Sequence, residues 1–368
     1  MALIYYVGDV PVFEDEAKRK TLTGELEAFN KAVTEGTDFH LTVDHGEIKA
    51  QEFERPDFKP IEIGKPLSIE ILTVYTGDAP NKFLGKKDLL VVSSVKSVIT
   101  HNEAPKAINQ IVKRIEDNTY YEPSARNQGS PIVYYTPALD MGTILCSFSL
   151  VADTFNEETF GNIAGLLSKA GGIPVFAPAS SVLLAGSLIS GMIGKLGKAL
   201  FESKPYFRGD LDIRLDSPGQ IVAKSRHIAI IDPRHSYEFK DYIPQEVHFG
   251  GATEMRLVHK TSKKSYGGDA PYILISLDGR ERADLKSFTP TIASASILEK
   301  FYGTDAQGQT IEVIQEALEL YNDLKYREKA NELSKKLNEL DENSQEYKSV
   351  QKLLEAYKKN IQTELLKL

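Results

Sequence analysis

Residues 170–194 (AGGIPVFAPASSVLLAGSLISGMIG) run for 25 positions without a charged side chain, in a chain of 368 residues of which 26% are charged. Such a run must be covered, either by the protein's own core, by a partner or by lipid. Pro174 and Pro178 work against one unbroken helix across it. The sequence predicts a helix opening at Ser180 or Ser181, either of which can cap it, and stopping near Pro205. Its uncharged part, 181–194, rises about 21 Å, short of the roughly 30 Å hydrocarbon core, and Lys195 and Lys198 follow. A standard membrane-spanning helix is therefore disfavoured.

On a helical wheel Leu188, Ile189, Met192, Ile193, Leu196 and Leu200 share one broad apolar face. Gly186, Ser187, Ser190, Gly194 and Gly197 share the opposite one, and the steps Gly186 to Ser190 to Gly194 let two backbones approach closely. Gly186, Gly191, Gly194 and Gly197 together weaken the helix by roughly 4 kcal/mol relative to alanine. A helix so weak alone, with two faces ready for burial, belongs between neighbours. The first expectation is a core helix against a sheet; the alternatives are a conditional membrane-inserting or self-associating element, or a permanent anchor.

Elsewhere strand signals dominate. Residues 4–10, 40–53, 67–75, 88–99, 131–136 and 143–152 are rich in β-branched and aromatic side chains. Helical spacing predicts helices over 14–34, 104–115 and 159–170, the last ended by Gly171 and Gly172. In 209–216 (GDLDIRLD) Leu211, Ile213 and Leu215 alternate with charged residues, and 220–232 is the expected partner strand across the turn Ser217-Pro218-Gly219. Further strands are expected at 255–260 and 272–279. Apolar residues at three- and four-residue steps then predict two helices over 311–340 and 345–368, with Asn343 and Glu346 resembling a capping box. The seam of that hairpin carries Leu318, Leu337, Leu354 and Ile361, and is narrow enough that it must dock on the body or on another copy.

The expected fold class is α+β: an antiparallel β-sandwich with a helical insertion and a C-terminal α-helical hairpin. The parts are 1–154 and 206–303 as the two β-rich portions, 155–205 as the insertion and 304–368 as the hairpin.

The chemistry-bearing patterns are sparse. GxxxxGK[ST], GxSxG and HExxH do not occur, and no two of the seven histidines stand at i, i+4. Cys146, the single cysteine, excludes an internal disulfide and a cysteine-rich zinc site, and lies in a run apolar enough to be buried. His227 and His235 are its conceivable partners for nucleophilic catalysis. Asp210, Asp212 and Asp216 share one strand face; they are read as a solvated charged face, with a Ca²⁺ site as the alternative. Lys260, Lys263 and Lys264 in one loop, and Arg280 and Arg282 in another, are read as solubilising, with an acidic ligand or lipid headgroups as the alternative.

A net charge of −8 argues against nucleic acid or an anionic membrane as the resting partner. The N-terminus lacks a basic region ahead of its apolar run and does not read as a signal peptide, so a reducing cytoplasm is expected. No cofactor and no metal are expected. These features point to a non-catalytic adaptor or scaffold whose sandwich recognises a protein partner and whose hairpin mediates oligomerisation. The alternatives are an effector that acts on membranes once helix 180–204 is released, and a cysteine-dependent hydrolase.

Overall fold

The computed structural model describes residues 2–7, 10–13, 39–44, 47–52, 59, 61–80, 86–97, 106–127, 129–139, 142–157, 160, 161, 164, 175–177, 204–215, 226–249, 252–282 and 311–368. Its centre is two antiparallel sheets. The larger joins β1 (Ala2–Val7), β2 (Val10–Phe13), β5 (Leu67–Tyr75), β8 (Tyr120–Tyr121), β9 (Ile132–Thr136), β13 (His227–Ile231) and β16 (Tyr272–Asp278) in the order β2-β1-β13-β16-β5-β8, with β9 also paired to β5. The smaller joins β6 (Asp88–Ser97), β7 (Lys106–Val112), β10 (Thr143–Asp153), β11 (Val175–Ala177) and β12 (Phe207–Arg214) in the order β11-β7-β6-β10-β12. β3 (Phe39–Asp44) and β4 (Glu47–Glu52) form a separate hairpin, as do β14 (Tyr242–Phe249) and β15 (Ala252–His259).

The sheets face each other across one core. Ile69 and Ile71 of β5, Ile228 and Ile230 of β13, and Ile273 and Ile275 of β16 meet Phe148 and Leu150 of β10 and Leu211 and Ile213 of β12. The expected α+β architecture, with its sandwich, is what the chain adopts.

Three local expectations are corrected. Residues 104–115 were expected to be helical; Lys106–Val112 is instead strand β7, between β6 and β11. Ala107, Ile108 and Ile111 do stand at helical steps, but Asn109 and Gln110 between them are buried too. Full burial on both sides suits a central strand, and its neighbours outweigh local spacing. Second, β12 does not pair with the segment that follows it. It pairs with β10, while β13 crosses to the other sheet between β1 and β16. All five residues of β13 are buried, which demands an interior position, whereas the alternating charges of β12 suit an edge. Third, within the insertion expected to be helical over 155–205, Val175–Ala177 is a strand on the edge of the smaller sheet.

The larger sheet is buried on its second face as well. Ile4, Tyr6, Tyr75, Tyr272 and Leu274 pack there against Phe239, Leu257 and Tyr266. Leu257 belongs to β15, so the β14–β15 ribbon roofs this face. No strand signal marks β14 in the sequence, because Pro244, Gln245 and Glu246 dilute its alternation. Proline is tolerated there because β14 pairs on one side only.

Helices α1 (Ile311–Leu337) and α2 (Gln345–Asn360) form the hairpin. The cap of α2 is Ser344, whose hydroxyl accepts from the Tyr347 amide at 3.0 Å, rather than Asn343. The seam docks on the body: Ala330, Leu354 and Tyr357 enclose Ala138, with Leu333 and Leu337 beside them. Lys352 reaches Glu62 at 3.5 Å and Lys359 reaches Glu281 at 3.1 Å. Gly64, with φ of +79°, lies against the Lys352 stem, so the body supplies a bare backbone where α2 comes close.

Candidate functional site

Two surfaces stand out from the residues upward. The first is the end of the β14–β15 ribbon. After β13, Asp232 caps a short 3₁₀ helix (Pro233–Phe239): its carboxylate accepts from the Arg234 amide at 2.9 Å, and Pro233 supplies the preset φ of the first turn. The Arg234 guanidinium beside it holds the Asp232 carboxyl below the usual carboxylate range. The helix delivers Phe239 into the roof, where it stacks on Tyr266 with ring centroids 4.5 Å apart. Tyr75 stacks on Tyr272 at 5.4 Å and tilts against Tyr120 at 4.7 Å. Arg256 lies 4.0 Å over the Tyr120 ring and is neutralised by Glu254 at 2.6 Å.

Three hydroxyls in this aromatic cluster are held as donors. Tyr75 donates to the Gly268 carbonyl at 2.9 Å and Tyr120 to the Tyr266 carbonyl. Tyr266 donates to one oxygen of Glu238 at 2.6 Å, and His235 Nδ1 sits 2.6 Å from the other. Burial, with Glu238 adding to it, pushes the Tyr266 hydroxyl well above its ordinary value. For Glu238 burial opposes the charge, but the bonds from Tyr266 and His235 outweigh it and leave the carboxyl below its usual range. This is a clamp that keeps the tyrosine protonated and the carboxylate ionised.

Beyond the clamp the ribbon ends in a basic turn. The His259 and Lys263 backbones close it: the Lys263 amide donates to the His259 carbonyl at 3.0 Å, and the His259 amide to the Lys264 carbonyl at 2.9 Å. His259 Nδ1 accepts from the Thr261 and Ser262 amides, each at 3.2 Å. The Lys260 amide donates to the Asp241 carbonyl at 2.7 Å, which brings Lys240 to the same end.

The second surface is the free end of the hairpin. Asp323, buried, accepts from the Gln362 amide at 3.0 Å and from the Thr363 amide and hydroxyl at 2.7 and 2.6 Å, pinning the last residues to α1. Next to this tie Leu320 and Leu324, one turn apart, are 48% and 43% exposed. Arg327, on the same face, donates to the carbonyl of Leu365, which is 89% exposed.

The residues singled out from sequence fall as follows. Gly186, Leu188, Ser190, Met192, Gly194 and Leu196 lie outside the described residues, as do the expected helix 14–34 and Asp216. Among the described residues no helix is long and apolar enough to cross a membrane. Leu354 and Ile361 are buried within the chain and Leu337 is packed beside Leu354. Leu318 lies in α1, and its side chain is outside the described residues. Cys146 faces the inter-sheet core, where burial alone pushes its thiol up to about 12. His227 lies in the opposite sheet and His235 is engaged by Glu238, so the three are not gathered into a nucleophilic pair. Asp210 pairs with Arg208 at 3.3 Å and Asp212 with Arg214 at 2.6 Å, and among the described residues no metal-holding group of His, Cys, Asp or Glu forms. Arg280 and Arg282 are taken by Asp278 and Glu70. What the sequence reading missed was Lys240, twenty residues from Lys260, and the exposed leucines beside the seam. Comparison with known proteins finds no family model and no curated protein that matches this chain.

Proposed function

We propose that this chain is a non-catalytic interaction protein that assembles through the free face of its C-terminal hairpin. The observation that carries the reading is a division of labour on that hairpin. Its seam (Ala330, Leu354, Tyr357) is occupied by Ala138 of the same chain. Leu320, Leu324 and Leu365 are left outside it, exposed. Single exposed leucines are ordinary, but three gathered at one end of a braced hairpin make an apolar contact surface. Leu337, Leu354 and Ile361, expected to mediate assembly, pack inside the chain, and the exposed leucines flanking the seam take that role. The only cysteine is a buried thiol with a raised pKa, and the tyrosine–glutamate–histidine chain is a structural clamp; neither offers a reacting group.

Light scattering coupled to size-exclusion chromatography tests this. The full chain should elute as an oligomer, and Leu320→Glu with Leu324→Glu should convert it to monomer without lowering its melting temperature. A full chain that is monomeric at all accessible concentrations, or an oligomer indifferent to both substitutions, would remove the reading.

A further inference from the structure

We propose that the lysine turn at the end of the β14–β15 ribbon docks on an anionic lipid bilayer. Four lysines, Lys240, Lys260, Lys263 and Lys264, are exposed there, and among the described residues none of them makes an ion pair. Arginines of the same region behave differently: Arg234 and Arg256 each hold a carboxylate at 2.6 Å. Against the four ammonium groups stands the exposed carboxylate of Asp241, since Glu238 is committed to Tyr266 and His235. A strongly positive tip therefore sits on a chain whose net charge is −8.

The tip is preorganised. Five hydrogen bonds described above, three between backbone groups and two from backbone amides to the His259 ring, fix the path from 259 to 264 and tie it to Asp241. Lys263 holds a φ of +56°, a conformation costly for a side-chain-bearing residue and one that points to a turn set by its surroundings. Binding through this tip requires no ordering of the backbone, only of lysine side chains.

The chemistry favours a membrane over an acidic peptide. Every residue from 260 to 264 is exposed, so the charges stand on a projecting tip. A plane of diffuse negative charge meets such a tip without needing a groove. Carboxylates of a peptide are selected by planar guanidinium forks, and the nearby arginines are already paired. Tyr237, one 3₁₀ turn before Lys240 and 67% exposed, adds an amphipathic ring of the kind found at headgroup depth. The overall negative charge does not oppose this at contact, because charges beyond about 8–10 Å are screened at physiological salt.

The test is sedimentation of the full chain with vesicles of pure phosphatidylcholine and with vesicles carrying about one-third phosphatidylserine. At roughly 0.1 M salt the anionic vesicles should carry down the protein at least about tenfold better than the neutral ones, and raising the salt to about 1 M should abolish the difference. Lys240→Glu, Lys260→Glu, Lys263→Glu and Lys264→Glu together should remove it, and the milder pair Lys263→Gln and Lys264→Gln should weaken it severalfold at an unchanged melting temperature. If the quadruple variant fails to fold, the milder pair decides. Equal sedimentation with both vesicles, variants that bind like the parent, or a parent that binds polyglutamate but not vesicles, each overturns the proposal. The lysine variants should leave the oligomeric state unaltered, so this result and the light-scattering result stand apart.

Discussion

Cys146 has a core role because of its neighbours across the strands. It lies opposite Leu211 and Val95 in register, and its sulfur is enclosed with Phe148 and Ile144. A thiol raised to about 12 is almost wholly protonated at neutral pH and unreactive. Native protein at pH 8 should alkylate at Cys146 at least about a hundredfold more slowly than denatured protein. Cys146→Ser should cost about 1–3 kcal/mol in a urea titration, because the new hydroxyl is buried. Glu238 carries the opposite lesson, since its partners favour the ionised form. Its folded pKa is depressed, so its contribution is present above the ordinary carboxylate range and is lost as the pH falls through the lowered value. The melting temperature of the parent should therefore drop more steeply than that of Glu238→Gln between pH 5 and pH 3. Parallel curves would show that the clamp does not stabilise the fold. The sequence held half of this information. An apolar run around Cys146 announced its burial, but nothing near Glu238 announces Tyr266, 28 positions away.

At the scale of elements, the hairpin shows how much periodicity determines. The three- and four-residue steps of Tyr347, Val350, Leu354 and Tyr357 placed a helix where α2 is found, and Val350, Leu354 and Tyr357 are indeed its buried side. What covers that side is not local information. Ala138 lies just after β9, more than two hundred residues earlier, and its small side chain leaves room for Leu354 and Tyr357. Truncating Leu354 to alanine should cost about 2–5 kcal/mol. The loss should fall unevenly: amide exchange in α1 and α2 should accelerate, while β5, β13 and β16 keep their protection. Uniform loss would mean that hairpin and sandwich unfold as one unit. β7 is the counter-example, a segment with helical spacing that its neighbours draw into a sheet.

Across the whole molecule, one sheet is the middle layer. The larger sheet packs against the smaller sheet on one face and is roofed by the β14–β15 ribbon on the other, so its strands read as almost continuous apolar runs. Such runs reveal burial but carry no period from which register or partner can be read. That is why 220–232 appeared to partner 209–216 across a turn, when the chain leaves one sheet and enters the other. The lysine tip has the same origin: the sequence showed Lys260, Lys263 and Lys264 in one loop, and strand pairing added Lys240 while ion pairs withdrew Arg280 and Arg282. By itself the sequence determined the fold class, the sandwich, the hairpin and the burial of Cys146, because these follow from composition and from spacings within a single element. Only the tertiary structure decided which strand lies beside which, where the hairpin rests and which charges stay unpaired. Those outcomes depend on contacts between residues far apart in the chain, and local periodicity carries no trace of them.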